Sequence, residues 1–128
     1  MEELFARVTD AEVQQVLDEL CQSVHSDNIN AGWWNQKDNP LVVPTKLALI
    51  HSEVSEALEG HRRGLNDDKL PHHSMLAVEL ADIAIRLFDL CGFLGVDLGS
   101  LIAEKAAFNA KREDHKIENR AAKGGKKY

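Results

Sequence analysis

Four carboxylates at matched spacing are the residues in this chain whose types and pattern could do chemistry. Glu53 and Glu56 lie three apart in Lys46–Gly64, KLALIHSEVSEALEGHRRG, and Glu79 and Asp82 repeat the spacing in Ser74–Leu94, SMLAVELADIAIRLFDLCGFL. On a helix, residues three apart project from one side a turn along, and like charges there repel by a few tenths of a kcal/mol, roughly. A single Glu-x-x-Glu is ordinary on a solvated helix. The second pair is not, because Val78, Leu80, Ala81, Ile83, Ala84 and Ile85 surround it. Acids are almost never fully buried unless paired or bound to metal. Two antiparallel helices joined by a short connector would gather all four acids, and four carboxylates that close do not all stay ionised without a cation. Oxygen-only ligands select a hard cation, Mg²⁺ with Mn²⁺ as a substitute.

The elements that must position these acids are helices. Leu47, Ile50, Val54, Ala57, Leu58 and His61 recur at helical spacing in the first segment, and Leu76, Leu80, Ile83, Ala84, Leu87, Leu90 and Cys91 in the second, so each is expected to bury an apolar stripe. Pro44 suits the first turn of the first helix, and Gly64, after the cations Arg62 and Arg63, suits its end. The connector Leu65–His73 is polar, and its adjacent His72 and His73 make a poor zinc set without further ligands nearby. Gly92 and Gly95 close the second helix, after which Asp97 or Ser100 is placed to cap a third.

Ahead of the acidic helices, Thr9-Asp10-Ala11-Glu12 has the capping-box pattern. It opens a helix to about Val24 with the stripe Val13, Val16, Leu17, Leu20, Cys21 and Val24. His25–Val43 follows without periodicity and reads as a long loop, a length that in compact domains is usually functional or disordered. It holds Trp33 and Trp34. These rings either pin the loop onto the helices or offer a face on which a nucleobase stacks, with Asn30, Asn35 and Gln36 as amides able to read its edge.

Arg86 and Asp89 follow the second acidic pair at helical spacing, so Arg86 either neutralises the acids, contacts a phosphate, or pairs with Asp89. In the third helix Lys105 and Asn109 share a face, with Arg112 a turn further. Alone that is a solvated stripe; beside an anionic substrate it is a phosphate clamp.

Length and composition bound the rest. The 128 residues fit one domain, taken as 1–112 with a basic tail over 113–128 that is mobile or lies on a partner subunit. From Lys111 onward seven Lys/Arg stand against three Asp/Glu, a local +4, leaving −10 on the body of a chain whose net charge is −6. An acidic body does not suit nucleic-acid binding but does suit gathering divalent cations. No run is long and apolar enough to span a bilayer, and acids at the start argue against a signal peptide, so no membrane role and a cytoplasmic location are expected. Cys21 and Cys91 both fall on apolar stripes and read as buried free thiols.

The paired motif Glu53-Val-Ser-Glu56 … Glu79-Leu-Ala-Asp82, with Lys105-x-x-x-Asn109 downstream, resembles the all-α nucleoside triphosphate pyrophosphohydrolases of the MazG-like type, over roughly Trp33 to Arg112. The resemblance implies an all-α, four-helix bundle-like protomer in a homodimer or homotetramer. It further implies Mg²⁺-dependent hydrolysis of a (d)NTP to the monophosphate and diphosphate. Glu53, Glu56, Glu79 and Asp82 would hold metal, with Glu56 as the base. Lys105, Asn109 and Arg86 would hold phosphates, and Trp33, Trp34, Asn30 and Asn35 the base, a purine edge suiting the amides somewhat better. Two rivals stand beside this reading. A di-iron carboxylate bundle wants Glu-x-x-His on two helices, which this sequence lacks. A non-catalytic helical metal-binding or interaction module would leave its acids facing water, against the apolar setting of Glu79 and Asp82.

Overall fold

A computed structural model describes residues 11–127, which are helical throughout except for turns and connectors. The α-helices are α1 (Ala11–Asn30), α2 (Val42–Arg63), α3 (Met75–Leu94), α4 (Leu98–Lys111) and α5 (Ile117–Ala121), with a 3₁₀ turn at Glu113–His115. The chain forms two compact units. One is Glu19–Val96; the other joins residues 11–18 to residues 97–127.

In the first unit, α2 and α3 pack along their length as an antiparallel hairpin, with Gly60 against Met75 near the turn and Glu53 against Arg86 further along. Both ends of the turn are fixed by local chemistry. Gly64 takes the left-handed conformation, φ 61°, and the Leu65 N–H returns to the Gly60 carbonyl at 3.1 Å, a Schellman closure. Ser74 caps α3 by accepting from the Ala77 N–H at 3.1 Å. Between them Asn66 and Ser74 form an isolated antiparallel bridge, and buried Asp67 accepts from the Lys69 and Leu70 N–H groups at 2.9 and 2.7 Å.

The burial pattern follows the one periodicity predicts only in part: Ala57, Leu90 and Cys91 are buried as expected. On α2 the buried residues are Glu53, Ala57 and Gly60, while Leu47, Val54 and Leu58 are exposed. On α3 they are Glu79, Asp89, Leu90 and Cys91, while Leu80, Leu87 and Leu94, spaced by sevens, are exposed. The physical reason is the close approach of the two helices. Small residues and acids fill the seam, and the bulky aliphatic stripes are turned away from it. Periodicity shows that a helix has an apolar face; it does not show which surface covers it.

The segment expected as a loop is shorter than its sequence implied. Helix α1 continues past Val24 to Asn30, turns occupy the following residues, and α2 already begins at Val42, with Pro44 in its first turn. Trp34 anchors these turns to α3. Its indole N–H donates to Asp89 Oδ1 at 2.9 Å, and its ring stacks on Phe93 with centroids 4.3 Å apart. Asp89 Oδ1 also meets His25 Nδ1 at 2.9 Å, so Asp89 is engaged by α1 and the turn and not by Arg86. Gly92 lets α1 pass close by. Gly92 lies inside α3 and does not end it; Gly95, φ 67°, does.

In the second unit Asp97 begins α4 without a side-chain cap bond, and the orphan Gly99 N–H is taken by Asp18 Oδ1 of α1 at 3.0 Å. Thr9 of the capping box lies outside the described residues. The tail beyond Arg112 buries no residue in its 3₁₀ turn or in α5. It is nevertheless locally tied: Asp114 takes Arg112 at 2.6 Å and Lys126 at 2.9 Å, and Glu113 takes Lys116 at 2.6 Å. Exposed pairs of this kind add little stability each.

Gly92 supplies a test of the α1–α3 packing whose sign is informative. An alanine in a helix interior ordinarily gains about 0.8–1 kcal/mol over glycine. A Cβ at Gly92 would lie 2.5 Å from the His25 Cβ and 2.6 Å from the Cys21 carbonyl oxygen. Gly92→Ala is therefore expected to destabilise by about 1–3 kcal/mol in urea unfolding.

Candidate metal centre and adjoining cavity

The hairpin brings Glu53, Glu56 and Glu79 together: one carboxylate oxygen from each lies within 4.8 Å of the others. Glu53 and Glu79 are 7% and 8% exposed, and Glu56 stands at the solvent edge. Asp82, the fourth expected ligand, is half-buried one turn along α3 from Glu79. It is not among the three converging carboxylates, and it acts on Glu79 through its charge. Arg86 on α3 donates from Nε to Glu53 Oε1 at 2.5 Å, so it pairs with the acids and not with Asp89.

The electrostatics follow from this geometry. Burial pushes the Glu79 carboxyl up, and a shared hydrogen bond with Glu53 and the charges of Glu56, Glu53 and Asp82 push it further, to about 7. Burial also acts to raise Glu53, but the bond from Arg86, those with Glu79 and Glu56, and the Arg86 charge outweigh it and hold Glu53 below its ordinary value. Glu56 is raised, first by its hydrogen bond with Glu53 and then by the Glu53 charge. One arginine therefore neutralises one carboxylate of three, and the remaining repulsion falls on the other two.

Glu79 Oε2 is buried, and no donor among the described residues reaches it. Such an atom costs about 1–3 kcal/mol, more if charged. A cation bound among the three carboxylates would satisfy it and relieve their repulsion together. The donor set, carboxylate oxygens only, fits a hard divalent ion.

A cavity of 380 Å³ opens on the same unit, with Trp33, Asn35, Gln36, Asn39, Lys46 and Leu49 in its wall. Trp33 is 70% exposed. Lys46 and Leu49 stand on the α2 face that continues, at spacings of four and three, to Glu53 and Glu56. Seven residues of helix separate Lys46 from Glu53, about 10 Å along the axis. Of the residues expected to take a base, Trp33 and Asn35 line this cavity, as does Gln36. Asn30, the last residue of α1, is not among its lining residues. Trp34 is 5% exposed and occupied by Asp89 and Phe93, with Lys46 Nζ 4.3 Å from its ring centroid, so it positions the cavity and has no free face for a ligand. Lys46, which also donates to the Trp33 carbonyl at 3.4 Å, is the residue that sequence reasoning missed. Its spacing to Glu53 was legible, but nothing in the sequence showed a cavity at that point.

Lys105 and Asn109 stand on α4, in the other compact unit. Lys105 Nζ lies 4.9 Å from the Phe108 ring centroid, and Asn109 Oδ1 is buried without a partner among the described residues.

No protein-family model, no curated protein and no solved structure matches the chain.

The Glu79 carboxyl gives a pH signature with a defined sign. Its folded value, about 7, lies above the ordinary 4.5, so the folded protein binds the extra proton between these values. Its contribution is therefore intact below pH 4.5 and is lost as pH rises through 7. Metal-free protein should show a Tm that falls over this interval. Glu79→Gln should flatten the fall and, above pH 7, exceed the parent by roughly 1–3 kcal/mol. Melting curves across pH in the presence of a chelator measure both.

Proposed function

We propose that this chain is a Mg²⁺-dependent nucleoside triphosphate pyrophosphohydrolase of the all-α, MazG-like type, converting (d)NTP and water into (d)NMP and diphosphate. The observation that carries the proposal is the convergence of Glu53, Glu56 and Glu79 across the α2–α3 seam, with the buried Glu79 Oε2 reached by no donor among the described residues. Glu53, Glu56 and Glu79 would hold the ion, with Asp82 joining them. When bound, Mg²⁺ offsets the negative charge on the phosphate oxygens and lowers the pKa of attacking water. Glu56 is at the solvent edge and more basic than an ordinary carboxylate, as a group that takes the proton from water needs to be. Water oxygen forms a bond to the α-phosphorus, the α–β bridging bond breaks, and diphosphate leaves. Arg86 would contact the phosphate oxygens, and for Lys105 and Asn109 on α4 the same role is what the resemblance implies.

The cavity at Trp33 supports a site for the base. It is large enough for a planar ring, carries amide donors and acceptors at Asn35, Gln36 and Asn39, and lies on the helix face that leads to the acids. Those amides suit a purine edge, with guanine slightly favoured.

Oligomerisation belongs to the same proposal. Exposed aliphatic residues recur at helical spacing, Leu47, Val54 and Leu58 on α2 and Leu80, Leu87 and Leu94 on α3, and apolar faces left open in this way suit an interaction site. A second copy would cover them, giving a homodimer or homotetramer. These stripes also support the alternative, a non-catalytic helical interaction module, which turnover measurements separate from the enzyme.

Pyrophosphate release from a panel of ribo- and deoxynucleoside triphosphates with Mg²⁺ or Mn²⁺ is expected to show turnover. Glu56→Gln should lower kcat about 100-fold or more. Trp33→Ala should raise KM by roughly tenfold, from the loss of ring stacking. No metal-dependent release from any nucleotide overturns the enzyme and leaves the module. Leu80→Glu with Leu87→Glu should shift sedimentation to the monomer, whereas a parent protein that already sediments as a monomer overturns the oligomer.

A further inference from the structure

Arg86 occupies an unusual position for a residue meant to meet a substrate. Its Nε donates to Glu53 Oε1 at 2.5 Å, and Glu53 belongs to the triad whose oxygens lie within 4.8 Å of each other. The guanidinium is a permanent cation and does not discharge to make room for another. A divalent ion drawing on the Glu53 carboxylate would sit beside a like charge. The two cations therefore compete for one carboxylate. The competition is resolvable, because the Arg86 side chain is 38% exposed and has open solvent to move into, whereas Glu53 is held in the seam with a side chain only 9% exposed.

We propose that Arg86 is a resident counter-cation which the divalent ion displaces from Glu53, and that the freed guanidinium becomes the binding group for a phosphate anion. The proposal rests on the metal-binding reading of the cluster and adds an order to it: cation first, anion second. Two features separate this from an ordinary ion pair. Glu79 Oε2, itself in a residue more than nine-tenths buried, receives no donor from Arg86 or any other described residue, so the arginine satisfies the cluster incompletely. Arg86 also lies seven residues from Glu79, two turns along the α3 face that carries the acids, so a short swing away from Glu53 keeps its donors beside the site. A planar fork of N–H donors is suited to phosphate oxygens. Because one side chain serves both events, cation and anion binding are linked, and each strengthens the other by the same factor.

Three measurements test this on the full chain. The first is Mn²⁺ affinity by titration calorimetry for the parent and for Arg86→Met, which keeps the stem and removes the charge. The variant is expected to bind about tenfold tighter or more, since only the parent must break a charge-assisted hydrogen bond. The second is binding of inorganic phosphate with and without saturating Mg²⁺. The parent should bind phosphate only with the ion, and Arg86→Met in neither condition. The third needs no stable variant. The Arg86 Nε–H resonance should be protected in the metal-free parent and lose its protection when Mg²⁺ saturates the site. Equal or weaker Mn²⁺ binding by the variant, or an Nε–H signal that persists with Mg²⁺ bound, overturns the counter-cation and leaves the metal site standing. Absence of cation binding in both proteins overturns the metal site and the counter-cation together.

Discussion

Three carboxylates held in the seam between two helices, against one arginine, are the constraint on which the rest of this structure depends. Facing helices ordinarily meet through aliphatic side chains, and here Glu53 and Glu79 take that place. Removing such groups from water is expensive unless charge is balanced and oxygens are satisfied. Arg86 balances one of them and leaves Glu79 Oε2 unsatisfied. The hairpin thus carries a local cost that a bound cation would relieve, which is the usual relation between a strained polar site and the ligand it is built to take.

That arrangement also accounts for the apolar surface. With acids and small residues in the seam, Leu47, Val54 and Leu58 on one helix and Leu80, Leu87 and Leu94 on the other have no cover within their hairpin. The polar interior and the apolar exterior are two consequences of one choice of helix face. A chain that turns its acids inward must find another surface for its leucines.

The all-α class and the helices themselves were legible in the sequence, since 3.6-residue periodicity and the Gly64, Ser74 and Gly95 boundaries are local signals. The gathering of Glu79 with Glu53 and Glu56 was legible in part, because the apolar setting of Glu79 and Asp82 was anomalous for solvated acids; Asp82, expected with them, is not among the three that converge. Burial was less legible. Leu80 and Leu87 obey the period of a core face yet stand exposed, because the period cannot name the surface that packs on it. The Trp33–Trp34 pair shows the same limit: adjacent identical residues received opposite environments, one 70% and one 5% exposed. Asp89, 55 residues further along the chain, makes that difference by accepting the Trp34 N–H, and no short-range pattern connects the two.

The connector between α2 and α3 sets the site as firmly as the acids do. Successive residues on a helix point about 100° apart, so a slip of one residue in the pairing of α2 with α3 would rotate Glu79 out of the seam and bring a neighbouring aliphatic residue in. Register is fixed by the Gly64 left-handed closure, the Asn66–Ser74 bridge and the two N–H bonds to Asp67, none of which touches the carboxylates. Gly60 adds a steric stop, since a Cβ there would lie 2.8 Å from Met75 Cγ. The chemistry at Glu53, Glu56 and Glu79 is therefore specified by the turn that joins the two helices, whose polar residues look in sequence like an ordinary solvated connector.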